Sequence, residues 1–230
     1  GGAAGNDVGP RSYLSFVGGG NYNVITGSSF NSVIGAGAHN TISESSDFST
    51  IVGGMSSSIV NDSDLSFIGG GFTNTISESS DYSTITGGEF NSIVRTSDRS
   101  FIGGGSQNKI SGSSDYSAIA GGDGNKIYHG SDKSFIGGGY RNLIHGETDK
   151  SVIGGGDENQ IYNISHNSVI AGGQYNKIYD IGYRSGIGSG YGNLIYSSSF
   201  HCFIGGGYTN RIYDSAADSG ILSGRDNRVY

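Results

Sequence analysis

The sequence predicts an all-β chain, a parallel β-solenoid of 17-residue coils, and three observations carry that prediction. A serine-type residue returns every 17 positions without a slip, from Ser15, Ser32 and Ser49 through Ser185, Cys202 and Ser219. Taking that serine as position 0, positions 2 and 10 are always Ile or Val, from Val17 and Ile25 to Ile221 and Val229. Position 5 is always Gly, and position 8 is Asn in every repeat except the one that carries Ser57. A fixed period of this length is the signature of a stacked repeat, in which identical positions lie above one another about 4.8 Å apart.

Along one repeat, positions 1 to 3 place a β-branched residue between two outward neighbours, which is the alternation of a short strand. Gly at positions 4 and 5 makes the bend, and position 5 calls for a positive φ that glycine adopts without strain. Triplets such as Gly69-Gly70-Gly71 are not phosphate loops, because no helix follows them. Asn at position 8 is placed to bond up and down the axis and to satisfy the bend. Positions 9 to 11 form the second strand and positions 12 to 16 the return. Helix is excluded, since 44 glycines would each cost about 1 kcal/mol in a helix interior.

The period is unbroken, so one domain is expected over residues 1–230: a partial coil over 1–14, then thirteen repeats from residue 15, the last stopping at residue 230. An apolar share of 33% fits a narrow Ile/Val column, and its fixed positions exclude disordered low complexity. Collagen is excluded because glycine does not recur every third residue and Pro10 is the single proline. A net charge of −7 with scattered basic residues argues against nucleic acid, and no run of 18 apolar residues encodes a membrane span. With one cysteine no intrachain disulfide can form, and Cys202 is expected to point inward as a small residue in a serine slot.

No initiating methionine or signal peptide is visible, so the chain is expected to be mature or part of something longer. It begins at position 3 of a coil and ends at position 11, with no polar capping repeat at either end. Both ends are therefore expected to be open edges that favour head-to-tail stacking.

Three columns are candidates for function. Position 15 is Asp in seven consecutive repeats: Asp47, Asp64, Asp81, Asp98, Asp115, Asp132 and Asp149. Like charges at that spacing repel by roughly 1 kcal/mol per pair in water, so each carboxylate is expected to accept N–H bonds in its own Asx-type turn. A column of cations such as Ca²⁺ is the alternative, weakened because the neighbours are hydroxyls. Positions 1 and 3 carry no charge anywhere, and wherever position 1 is Phe (Phe16, Phe67, Phe101, Phe135, Phe203) position 3 is Gly. That volume compensation predicts knobs meeting holes on a neighbouring chain. Position 9 carries Lys109, Lys126, Lys177, Arg211 and Arg228, so the second strand faces water. Position 11 carries Tyr128, Tyr162, Tyr179, Tyr196, Tyr213 and Tyr230, interrupted by His145. This column reads as a stacked stripe that stiffens the coil, with glycan or surface binding and lateral fibre packing as alternatives.

Catalysis finds no constellation. The five histidines occupy different repeat positions, so no shared metal site or triad emerges, and the Asp column lacks the two differently tuned carboxylates of a glycosidase. No catalytic, metal or cofactor residue is assigned. The absence of a regular Thr-x-Thr face argues against ice binding.

The run Ser66-Phe67-Ile68-Gly69-Gly70-Gly71 with Asn74 and Ile76, and its relative Ser151-Val152-Ile153-Gly154-Gly155-Gly156 with Asn159 and Ile161, resembles the head repeats of YadA-like trimeric autotransporter adhesins. It is similar also to S-x-I-G-G-G-x-x-N-x-I arrays in phage and algal-virus fibre proteins. The resemblance covers essentially the whole chain. It implies a left-handed β-roll, three chains packed side by side, and display on a surface for attachment to cells or matrix. The chain departs from the adhesin heads in its longer repeat and in having no coiled-coil stalk or membrane anchor. The expected function is structural: a non-enzymatic subunit or segment of an extracellular, cell-surface or virion fibre whose main partner is itself. The alternative is an adhesin or receptor-binding module for cells, glycans or matrix.

Overall fold

The computed structural model describes residues 5–196, 198–213 and 216–230, and its contacts fall into two units, Gly1–Tyr116 and Ser117–Tyr230. The divide lies between position 16 of one repeat and position 0 of the next. Each unit is a parallel β-solenoid, and the chain makes about thirteen turns in all. The first unit stacks one sheet from Asp7–Val8 to Lys109–Ser111 and a second from Phe16–Val17 to Phe101–Ile102. The second unit does the same from Lys126–Tyr128 to Arg228–Val229 and from Ala118–Ile119 to Gly220–Ile221. Within each unit the strand registers join a residue to the one 17 positions on, as in Phe67 with Thr84 and Ile68 with Ile85. A third ladder of single parallel bridges runs along position 6, for example Met55 with Phe72.

The core is the two Ile columns. Ile34, Ile51 and Ile68 at position 2 and Ile25, Ile42 and Ile59 at position 10 are wholly buried. At roughly 2 kcal/mol for each buried side chain, these columns supply the main drive for closing a coil whose strands are two or three residues long.

Strand N–H groups reach the carbonyls of the following coil, as Phe16 N does Ser32 O at 3.0 Å. The corners cannot all do so, and there the chain uses two devices. Positions 7, 13 and 16 turn left-handed, which points their N–H back at the preceding coil: His39 N to Asn21 O at 3.0 Å, Ser45 N to Gly27 O at 2.9 Å and Phe48 N to Phe30 O at 2.8 Å. At positions 8, 14, 15 and 0, side chains stand in for the missing carbonyls. Asn40 N donates to Asn23 Oδ1 at 3.1 Å, Ser46 N to Ser29 Oγ at 3.2 Å and Ser32 N to Ser15 Oγ at 3.1 Å. Among the described residues Ser12 Oγ is the one buried side-chain N or O atom without a partner.

Position 5 is glycine for two reasons. Its φ is positive, +82° at Gly20 and +93° at Gly54, and a Cβ there would collide with the carbonyl oxygen of the equivalent glycine one coil on. Positive φ alone does not require glycine in this fold, because Leu65 at 51° and Tyr82 at 56° adopt it at position 16. That conformation costs an L-residue about 1–2 kcal/mol. The axial N–H bond, Tyr82 N to Asp64 O at 2.8 Å, holds bulky residues there.

Candidate association face, ladders and groove

Ser66, Ile68 and their equivalents point inward, so position 1 between them points out. Phe67, Phe101 and Phe135 are 36–40% exposed, and Phe16 and Phe203 more so. In the first unit the registers set Thr50, Phe67, Thr84 and Phe101 side by side along the axis. Thr84 thus separates the rings of Phe67 and Phe101. In the second unit Ala118, Phe135 and Val152 follow one another in the same way.

The pairing of Phe at position 1 with Gly at position 3 has a cause inside the chain. A Cβ on Gly18 would lie 3.2 Å from Phe16 Cε1, and one on Gly137 would lie 3.5 Å from Phe135 Cε1. The ring therefore lies along its own glycine, and a Cβ on Gly18 or Gly137 would also strike the carbonyl oxygen of Gly35 or Gly154 one coil on. The co-occurrence on its own does not call for a partner.

Position 16 widens that face in the first unit. Leu14, Phe48, Leu65, Tyr82 and Tyr116 are all exposed apolar or aromatic residues two positions before the position-1 side chains. Arg99 lies between two of them, its guanidinium carbon 5.0 Å from the Tyr82 ring centroid and 5.3 Å from that of Tyr116. This ridge was missed from sequence, although the period puts large residues in one column there.

The half-buried Asp column bonds between coils. The N–H of Phe30 donates to Asp47 Oδ1, that of Asp47 to Asp64, of Asp64 to Asp81, of Asp81 to Asp98 and of Asp98 to Asp115, at 2.7–3.0 Å. In the second unit Asp132 donates to Asp149 in the same way at 3.0 Å, and Asp149 donates to Nδ1 of His166 at 3.0 Å. The carboxylates of Asp47, Asp64, Asp81, Asp98, Asp115 and Asp149 thus each serve the coil before them, which corrects the expectation of a local Asx turn. Burial pushes the carboxyls of Asp64 and Asp81 above the ordinary range; the accepted N–H bond opposes the rise, and neighbouring aspartates add to it. No group of three or more His, Cys, Asp or Glu able to hold a metal ion occurs among the described residues.

The Tyr column stacks on itself. Tyr162 and Tyr179 are 4.8 Å apart and 3° from parallel, Tyr179 and Tyr196 are 4.4 Å apart and tilted, and Tyr213 and Tyr230 are 5.6 Å apart and stacked. Tyr128 meets His145 edge to face at 4.6 Å. Burial, followed by the adjacent tyrosines, raises the phenols of Tyr162 and Tyr179. Tyr196 and Tyr213 meet edge to face at 6.4 Å, so the parallel stack is broken there.

A groove of about 600 Å³ runs along positions 15 and 16 of the second unit. There position 15 changes from Asp to His166, Tyr183, Phe200 and Ala217, while position 16 changes from apolar to polar residues such as Lys150, Arg184 and His201. The switch in the position-15 column was the sequence signal for this groove. No helix among the described residues is long and apolar enough to cross a membrane. No model of a known protein family matches the chain, and no curated protein is detectably similar to it.

Proposed function

We propose that the chain is a non-enzymatic structural β-solenoid whose copies associate side by side, as a segment of an extracellular or virion-borne fibre. The observation that supports this reading most is the exposed, uncharged stripe at positions 1 and 3, flanked in the first unit by the apolar ridge at position 16. Isolated exposed apolar residues are ordinary on a monomer, but a continuous column of them is not. A second copy is the occupant that fits. Phe67 and Phe101 lie two coil rises apart, roughly 9.6 Å, with Thr84 between them, so a copy shifted by one coil sets a ring of its own against that gap. The resemblance to YadA-like head repeats favours three chains per assembly and display on a surface.

The test is Phe101→Asp combined with Phe135→Asp, which puts carboxylates into the stripe without touching the Ile columns. The double variant should lose assembly, read as a fall in molar mass by light scattering. An unchanged mass with native circular dichroism would remove the stripe from the interface.

A further inference from the structure

We propose that the groove at positions 15 and 16 of the second unit binds a pyranose ring, a sugar unit of a glycan, on the free face of Phe200. The aromatic ladder on one wall is well ordered: His166 stacks on Tyr183 at 5.3 Å and 16°, and Tyr183 on Phe200 at 5.7 Å and 9°. It stops because the next residue in the column is Ala217, which is exposed. Phe200 therefore has one face on Tyr183 and the other over a methyl group. The thickness that a ring in place of Ala217 would take, about one coil rise or roughly 4.8 Å, is left open beside Phe200. A saturated six-membered ring fills that thickness, and its axial C–H bonds suit the negative face of an aromatic ring.

The opposite wall supplies the polar half of the recognition. Arg184 Nη1 lies 3.5 Å from His201 Nε2, and His201 Nδ1 lies 3.1 Å from Asp218 Oδ1. With Nδ1–H donating to Asp218, Nε2 accepts from Arg184, so the three groups form a donor–acceptor chain along the rim. A wall that mixes both signs matches hydroxyl groups, each of which donates and accepts. It does not match a phosphate backbone, which a chain of net charge −7 repels, nor an apolar peptide. The volume is within the range of small-molecule sites, about 300–1,000 Å³, and accommodates a short oligosaccharide.

The experiment is saturation-transfer NMR on the full chain with methyl glycosides of glucose, galactose, mannose, fucose, N-acetylglucosamine and glucuronic acid. Each is offered at about 10 mM, enough to occupy a site of roughly millimolar affinity. At least one should receive saturation on its ring C–H protons. Phe200→Ala should weaken that binding roughly tenfold, the upper end of an aromatic contact. Ala217→Tyr, which extends the ladder into the space beside Phe200 and removes nothing, should abolish it, while Tyr162→Phe, outside the groove, should not change it. No transfer to any of the six glycosides, or transfer that survives Ala217→Tyr, overturns the proposal. Binding is read independently of molar mass, so its failure is separate from a failure of side-by-side association.

Discussion

The main-chain N–H of Asp47 donates to Oδ1 of Asp64 at 2.7 Å, 17 residues away and one coil on. A column of like charges is thereby held in place by the corner N–H groups it satisfies, since no main-chain carbonyl reaches them. What that corner requires is an acceptor atom, not a negative charge, and His166 Nδ1 supplies one for Asp149.

Asp64→Asn and Asp81→Asn should therefore stabilise the chain at neutral pH, because asparagine keeps Oδ1 and removes the charge. Burial raises both carboxyls above 3.8 in the folded state, so the folded chain resists their ionisation and stability falls as pH rises through the raised values. Relief of one like-charge contact is roughly 1 kcal/mol, or about 2–4 °C in melting temperature for a chain of this size. The gain should vanish near pH 3, about where the aspartates are protonated, and a chelator should leave the wild-type melt unchanged. A lower melting temperature for either variant at neutral pH, or a chelator-induced drop, would favour bound cations over N–H capping.

Ser57 is the one break in the Asn ladder and predicts its own repair. Asn74 donates Nδ2 to Gly70 O at 2.8 Å and Gly88 O at 2.9 Å and accepts the N–H of Asn91 at 3.0 Å. Ser57 accepts the N–H of Asn74 at 3.3 Å but has no amide to donate. Ser57→Asn should add about 1 kcal/mol, one net hydrogen bond, and Asn74→Ala should cost roughly 2–4 kcal/mol by stranding the Asn91 N–H and the Gly70 carbonyl, whereas Gly88 O keeps the N–H of Phe72. Urea titrations measure both, and a destabilising Ser57→Asn would contradict the ladder.

Cys202 should behave as a serine substitute. It is 1% exposed, its main-chain N–H donates to Ser185 Oγ at 3.1 Å, and its thiol lies 2.8 Å from Ala216 O. Burial pushes the thiol pKa up. A thiol reagent at mildly alkaline pH should label it only as fast as the chain unfolds, and Cys202→Ser should be neutral or stabilising. Rapid labelling of the folded chain would place the thiol at the surface.

The period, the inward Ile columns, the bend glycine and the axial role of Asn23 and its equivalents were legible in the sequence, because each is a strict column with a single chemistry. Three features were not. Whether Asp64 serves its own turn or the coil before it depends on which way the N–H at position 15 points, and periodicity does not encode that. Leu65 and Tyr82 give no composition signal for positive φ, since the axial hydrogen bonds impose it. The Phe16 and Gly18 pairing looked intermolecular because sequence shows co-occurrence without distance, and the structure puts the two in contact within one coil. The groove could have been found at His166, where the Asp column ends.

Leu65→Gly separates folding from association. Leu65 is 47% exposed at a φ of 51°, so glycine relieves about 1 kcal/mol of backbone strain while removing part of the apolar ridge. The variant should melt no lower than wild type in dilute solution, yet assemble more weakly as concentration rises. Equal loss of stability and of assembly would mean that the side chain supports the coil itself.

Sedimentation equilibrium of the unmodified chain over a wide concentration range tests side-by-side association most directly. The account predicts a mass at a multiple of 23.7 kDa, about three times that value for the three-chain assembly proposed above. A constant mass of 23.7 kDa at every concentration would contradict it.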